Sequence, residues 1–94
     1  VGAVTSARLA STTATLDVLL IYLEYHQMPV VSSNYWNMVH GNTPEEVKQD
    51  EEGLQIMRTL GNNMAWLLRC IEAGAAAGVE VPATEEKIKT NFIR

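Results

Sequence analysis

The sequence predicts an α/β fold with parallel strands, on three observations. Two short runs rich in Val and Thr or Ser, Val1–Ser6 and Met28–Ser33, alternate with stretches of helical periodicity. More than twenty residues separate the two runs, too many for a hairpin and enough for a crossover helix. The order strand, helix, strand, helix implies parallel pairing through a right-handed crossover. The runs Val1–Ser6 and Met28–Ser32 are therefore expected to lie adjacent and parallel.

Each element has a local reason. Val1–Ser6 is built of small and β-branched residues and leads into the polar loop around Arg8. From Thr12 to Gln27, Leu16, Leu19, Leu20 and Leu23 fall at i, i+3, i+4 and i+7, with Ser11 or Thr12 available as N-cap. Pro29 ends helical possibilities and is tolerated at the start of a strand, which is expected over Met28–Ser33. Ser32 to Gly41 then carries no acid, lysine or arginine but holds Tyr35, Trp36 and His40. Thr43-Pro44-Glu45-Glu46 is a helix start: the threonine hydroxyl can accept from the Glu46 N–H, and proline suits the first helical position. Leu54, Met57, Leu60, Met64, Leu67, Leu68 and Ile71 continue as a long amphipathic helix, with a break expected near Asp50–Gly53 and a glycine end near Gly74 or Gly78. Residues 79–94 read as a short terminal helix or a surface tail.

Composition narrows the function classes. The chain has 94 residues, one domain at most, with a formal charge of −4 from eleven acids and seven bases. The bases are scattered from Arg8 to Arg94, so no nucleic-acid surface is expected. The longest apolar run, Val18–Leu23, is far below the roughly 20 residues that span a bilayer, so no membrane partner is expected. Cys70 sits among Leu67, Leu68 and Ile71 and is expected to pack in the interior in a reducing, cytoplasmic setting. Two strand–helix units leave a parallel sheet incompletely covered, so an N-terminal half is expected upstream of Val1.

The stretch Ser33-Asn34-Tyr35-Trp36-Asn37-Met38-Val39-His40-Gly41-Asn42-Thr43-Pro44-Glu45-Glu46, the helix Gly61-Asn62-Asn63-Met64-Ala65-Trp66-Leu67-Leu68 and the closing Thr90-Asn91-Phe92-Ile93-Arg94 resemble the C-terminal part of flavodoxin-fold, NAD(P)H-dependent FMN reductases, a family with quinone-reductase-like and iron-sulfur flavoprotein relatives. The resemblance covers essentially the whole chain. It implies a flavodoxin-like parallel sheet of which only the last two strand–helix units are present here. It also implies FMN as cofactor, NAD(P)H as co-substrate, a small-molecule electron acceptor and a homo-oligomer.

Open α/β sheets bind ligands at the carboxyl ends of their strands. The resemblance therefore assigns flavin contact to Ser6, Ala7, Arg8, Leu9, Ala10 and Ser11, and assigns Tyr35 and Trp36 to the pocket rim, across a dimer interface. In the family the first of these loops carries a Gly-Gly-Gln-Glu run. Here Ala10 and Ser11 stand at the glycines and Thr12 and Thr13 at the Gln-Glu pair. That departure supports a second hypothesis, a non-catalytic module that binds a partner through Met57, Met64 and Trp66 of its long helix.

Other chemistry-bearing residues read as structural. His26 suits a helix C-terminus, and His40 has no His or Cys at ligand spacing, so no metal is expected. Asp50, Glu51 and Glu52 are consecutive and diverge around a helix, as a solvated face. No nucleophile elbow or phosphate loop is present, as expected where a flavin carries the redox chemistry.

Overall fold

The computed structural model describes residues 1–8 and 10–93. Its elements, in chain order, are β1 (Thr5–Ala7), α1 (Thr12–Tyr25), β2 (Met38–His40), α2 (Pro44–Val47) and α3 (Glu51–Ala76). The two strands form a parallel sheet with Thr5 beside Met38, Ser6 beside Val39 and Ala7 beside His40. The molecule is thus a mixed α/β chain with a two-stranded parallel sheet and three helices.

The second strand is not where the sequence placed it. Met28–Ser33 is not a strand, and among the described residues its backbone meets the N-terminal run only at Val1. There the Val1 amino group donates to the Pro29 carbonyl at 2.8 Å, and the Val31 N–H donates to the Val1 carbonyl at 2.7 Å. This is a parallel pattern with Val1 beside Val30. The next pairing, Thr5 beside Met38, comes four residues later on one side and eight later on the other. The surplus is the aromatic segment, an excursion from the line of the strand. Its first root is tied twice to α3: Asn63 Nδ2 donates to the Ser32 carbonyl at 2.8 Å and Ser33 Oγ to the Ile56 carbonyl at 2.7 Å. The chain returns at Asn37, whose carbonyl accepts from Thr5 N–H at 3.0 Å.

Helices cover opposite faces of β2. Met38 and Val39 point to opposite sides, as neighbours in a strand must. Thr12 Oγ1 of α1 donates to Met38 Sδ at 3.0 Å, whereas Gly53 of α3 packs so close to Val39 that an added Cβ would lie 2.9 Å from Val39 Cγ2. The apolar core is small: Ala3, Leu16, Val31, Met38, Val39, Ile56 and Leu60.

The helix signals hold where they are local. Thr43 Oγ1 accepts from Glu46 N–H at 3.3 Å, with Pro44 at the first position. The Glu46 carboxylate reaches back to the Asn42 N–H at 2.6 Å rather than to Thr43. The break comes at Lys48–Asp50, and Asp50 caps α3 through Gly53 N–H at 2.9 Å. The far end closes on Gly78, at φ 87, with Val79 N–H to the Gly74 carbonyl at 2.9 Å and Gly78 N–H to the Ala75 carbonyl at 3.1 Å, the two bonds of a Schellman end. Beyond it, residues 79–93 form neither helix nor strand.

Burial departs from the sequence reading. Among α1's leucines only Leu16 is buried, and Leu19 is 39% exposed. On α3, burial ends at Leu60, so Trp66, Leu68 and Ile71 stay exposed. Cys70 is exposed too, because it lies on this overhanging half of the helix. The radius of gyration, 17.6 Å, exceeds the roughly 12 Å of a compact chain this long. No helix among the described residues is long and apolar enough to cross a membrane.

Candidate functional site

The carboxyl edge of the sheet is formed by the β1–α1 loop and the start of the β2–α2 turn. Ser6 and Ala7 belong to β1, with Ser6 exposed and Ala7 half-buried; Arg8, Ala10 and Ser11 follow and are exposed. Leu9 lies outside the described residues. Ser11 occupies the N-cap position of α1 in the left-handed region, φ 84 and ψ 1, and makes no side-chain cap bond. A non-glycine residue there carries about 1–2 kcal/mol of steric cost. Its hydroxyl thus takes no bond from the first N–H groups of α1. Thr12, the other candidate cap, is turned inward to Met38.

Across the edge from Ala7 stands His40, which the sequence reading set aside. The Gly41 N–H donates to the Ala7 carbonyl at 3.3 Å, closing the ladder. Asp50 fixes this corner. Its Oδ2 accepts from the His40 backbone N–H at 2.8 Å, its Oδ1 accepts from Gly53 N–H, and its Oδ2 lies 3.8 Å from His40 Nδ1. Asp50 is thus a clamp between β2 and α3 and not part of a solvated face. The two backbone donors, Gly53 first and His40 second, hold its carboxyl below the usual range. The pairing of His40 with Asp50 spans ten residues, so no local spacing announced it.

A carboxyl whose folded-state pKa is lowered contributes stability above its unfolded value, near 4, and loses that contribution as pH falls through the folded value. Asp50→Asn should therefore lower stability by about 1–2 kcal/mol at pH 7, with the gap from the parent protein closing as the pH falls below the ordinary carboxylate range and through the lowered folded-state value. Urea titrations of both proteins at pH 7 and at acid pH measure it. A gap that stays constant with pH would show that the clamp does not depend on charge.

Tyr35 and Trp36 are elsewhere. They precede β2, at its amino end, so they do not follow a strand as the α/β rule assumed. The displaced second strand is the reason. The rings lie 5.8 Å apart and tilted by 50°, each more than half exposed. They line a groove of about 370 Å³ with Leu16, Leu20, Val30 and Val31, and the buried Asn37 there leaves Oδ1 without a partner among the described residues. Tyr35 also borders a small cavity of about 50 Å³ with His40, Asp50 and Gly53. The structure thus brings Ser6, Ala7, Arg8, Ala10 and Ser11 to one edge, adds His40 to it, and seats Tyr35 and Trp36 on a separate apolar groove.

The edge loop combines three features. Its residues are small and exposed at Ala10 and Ser11, its helix N–H groups lack a side-chain acceptor, and α1 has no acid in its first turn. Among the described residues no group of three His, Cys, Asp or Glu side chains is placed to hold a metal ion. No family model, curated protein or solved structure matches this chain.

Proposed function

We propose that this chain is the C-terminal portion of a flavodoxin-like, FMN-dependent NAD(P)H oxidoreductase, with the flavin held at the loop from Ser6 to Ser11. The observation that carries the reading is the left-handed backbone of Ser11. The resemblance places glycine at that position, and glycine is the residue that adopts this conformation without cost. Ser11 thus holds a backbone conformation that a glycine at this position would favour. Bound FMN would supply the redox chemistry, accepting hydride from NAD(P)H and passing electrons to a small-molecule acceptor such as a quinone. The chain's own residues would bind and orient it. Ala10 and Ser11 allow close backbone approach, the first N–H groups of α1 offer donors, and Arg8 offers a cation to an anionic group.

The test is a titration of the full-length polypeptide carrying this chain with FMN, followed by flavin fluorescence quenching and the visible absorption band. Binding is expected, weakened about fivefold by Arg8→Ala, the scale of one exposed charge-assisted contact. Ser11→Gly should bind at least as tightly and be equally or more stable, by up to about 1 kcal/mol, because relief of the left-handed strain exceeds the entropy that glycine adds to the unfolded chain. A protein that is colourless as purified and leaves FMN fluorescence unchanged would overturn the reading.

The second reading, a partner-binding module without catalysis, draws on a different observation. Trp66, Leu68 and Ile71 remain exposed on α3. The same titration separates the two, since a module of this kind needs no flavin.

A further inference from the structure

We propose that the groove beside Tyr35 and Trp36 binds a neutral, planar aromatic molecule with one N–H or O–H donor, a ligand of the indole or phenol class. The inference is independent of flavin binding. The two aromatic residues precede β2 and so stand at its amino end, whereas the loop from Ser6 to Ser11 runs on from the carboxyl end of β1.

The groove exists because the chain leaves the ladder. Val31 N–H donates to the Val1 carbonyl and Thr5 N–H to the Asn37 carbonyl, and between those two points residues 32–36 make their excursion. The space of about 370 Å³ beside them falls in the lower part of the roughly 300–1,000 Å³ of small-molecule sites. Its apolar lining comes from three parts of the chain: Leu16 and Leu20 of α1, Val30 and Val31 before the excursion, and Tyr35 and Trp36 within it. The two aromatic side chains are 59% and 55% exposed, so a flat ligand has ring surface to cover.

The polar part of the lining narrows the ligand further. Asn37 lines the groove and is 7% exposed, and its buried Oδ1 has no hydrogen-bond partner among the described residues. A buried acceptor of this kind calls for a donor. Its neighbours on the lining are engaged: Ser33 Oγ donates to the Ile56 carbonyl at 2.7 Å and stands 3.0 Å from Asn34 Oδ1, and the Ser32 carbonyl accepts from Asn63 Nδ2. The donor has to arrive on an uncharged ring. No Lys or Arg lines the groove to offset an anion, and no Asp or Glu to offset a cation.

Two probes of nearly equal shape test it. Indole and benzothiophene differ at one ring position, N–H in the first and sulfur in the second. Each is titrated into the isotope-labelled full-length polypeptide carrying this chain, with and without FMN, and the amide shifts of residues 30–37 are followed. Indole is expected to move the Tyr35, Trp36 and Asn37 signals and to bind about fivefold tighter than benzothiophene, the scale of one neutral hydrogen bond. In Asn37→Leu, which removes the acceptor at similar volume, the two probes should bind equally. Equal affinities for the parent protein, or no shift at these residues up to the solubility limit of the probes, would overturn the proposal. Competition by FMN would overturn it too, because the groove would then belong to the flavin site. A protein that binds indole and not FMN would keep this site and lose the flavin reading. Trp36→Ala guards against an Asn37 variant that does not fold: it should weaken indole about fivefold through the lost ring contact, and unchanged binding would refute the site.

Discussion

Replacing Leu16 with alanine should lower stability by about 3 kcal/mol, within the 2–5 kcal/mol of a buried leucine truncated to alanine. Among the apolar side chains of α1, Leu16 alone is buried, 3% exposed, and Thr12 is the other buried residue. The fully buried anchors of the helix are thus one leucine and one threonine, and removing the leucine enlarges the groove that it lines with Leu20, Val30 and Val31. Leu19→Ala, on the same helix but 39% exposed, should cost about 1 kcal/mol or less. Denaturant titrations with equal m-values decide the comparison. If Leu19→Ala proved the more damaging, α1 would be rotated from the face described.

Gly41→Ala should cost about 2–3 kcal/mol, the scale of forced overpacking. A Cβ on Gly41 would sit 2.6 Å from Val47 Cγ2, 2.7 Å from the Val47 nitrogen and 3.0 Å from its Cα. Two of these are backbone atoms, so relief requires α2 to move away from the carboxyl edge. That movement would also disturb Asn42, which donates to Glu46 on α2. Gly61→Ala is the control: nothing lies within 4 Å of its added Cβ. That change should be neutral or stabilise α3 by up to about 1 kcal/mol, the difference in helix propensity. Thermal melts of the two variants should therefore move in opposite directions. Equal destabilisation by both would show that the approach of Val47 to Gly41 is not tight.

The candidate site was legible in part. The loop Ser6 to Ser11 was found because it follows the first strand, and that order is written in the chain. His40 was missed because what makes it notable is its register beside Ala7 and its tether to Asp50, and both are non-local. Tyr35 and Trp36 were singled out as part of an uncharged aromatic stretch. They were assigned to the wrong edge, because the strand expected before them lies after them.

By itself the sequence determined the features whose energies are local. The start at Thr43-Pro44-Glu45-Glu46 rests on a bond spanning three residues, and the end at Gly78 on a backbone conformation that glycine adopts freely. The periodicity from Leu54 onward likewise follows from the geometry of one helix. Tertiary structure decided which of two strand-like runs enters the ladder. Pro29 to Val31 and Met38 to His40 have similar intrinsic preference, and the choice falls to Met38 because Thr12 and Thr5 meet it there. It also selected the face of α1, since a helix apolar on nearly every side specifies none until a sheet lies beneath it. The exposure of Cys70 and the clamp of Asp50 have the same origin. Each depends on where α3 meets or overhangs a partner distant in sequence, and such contacts are settled only when the elements pack.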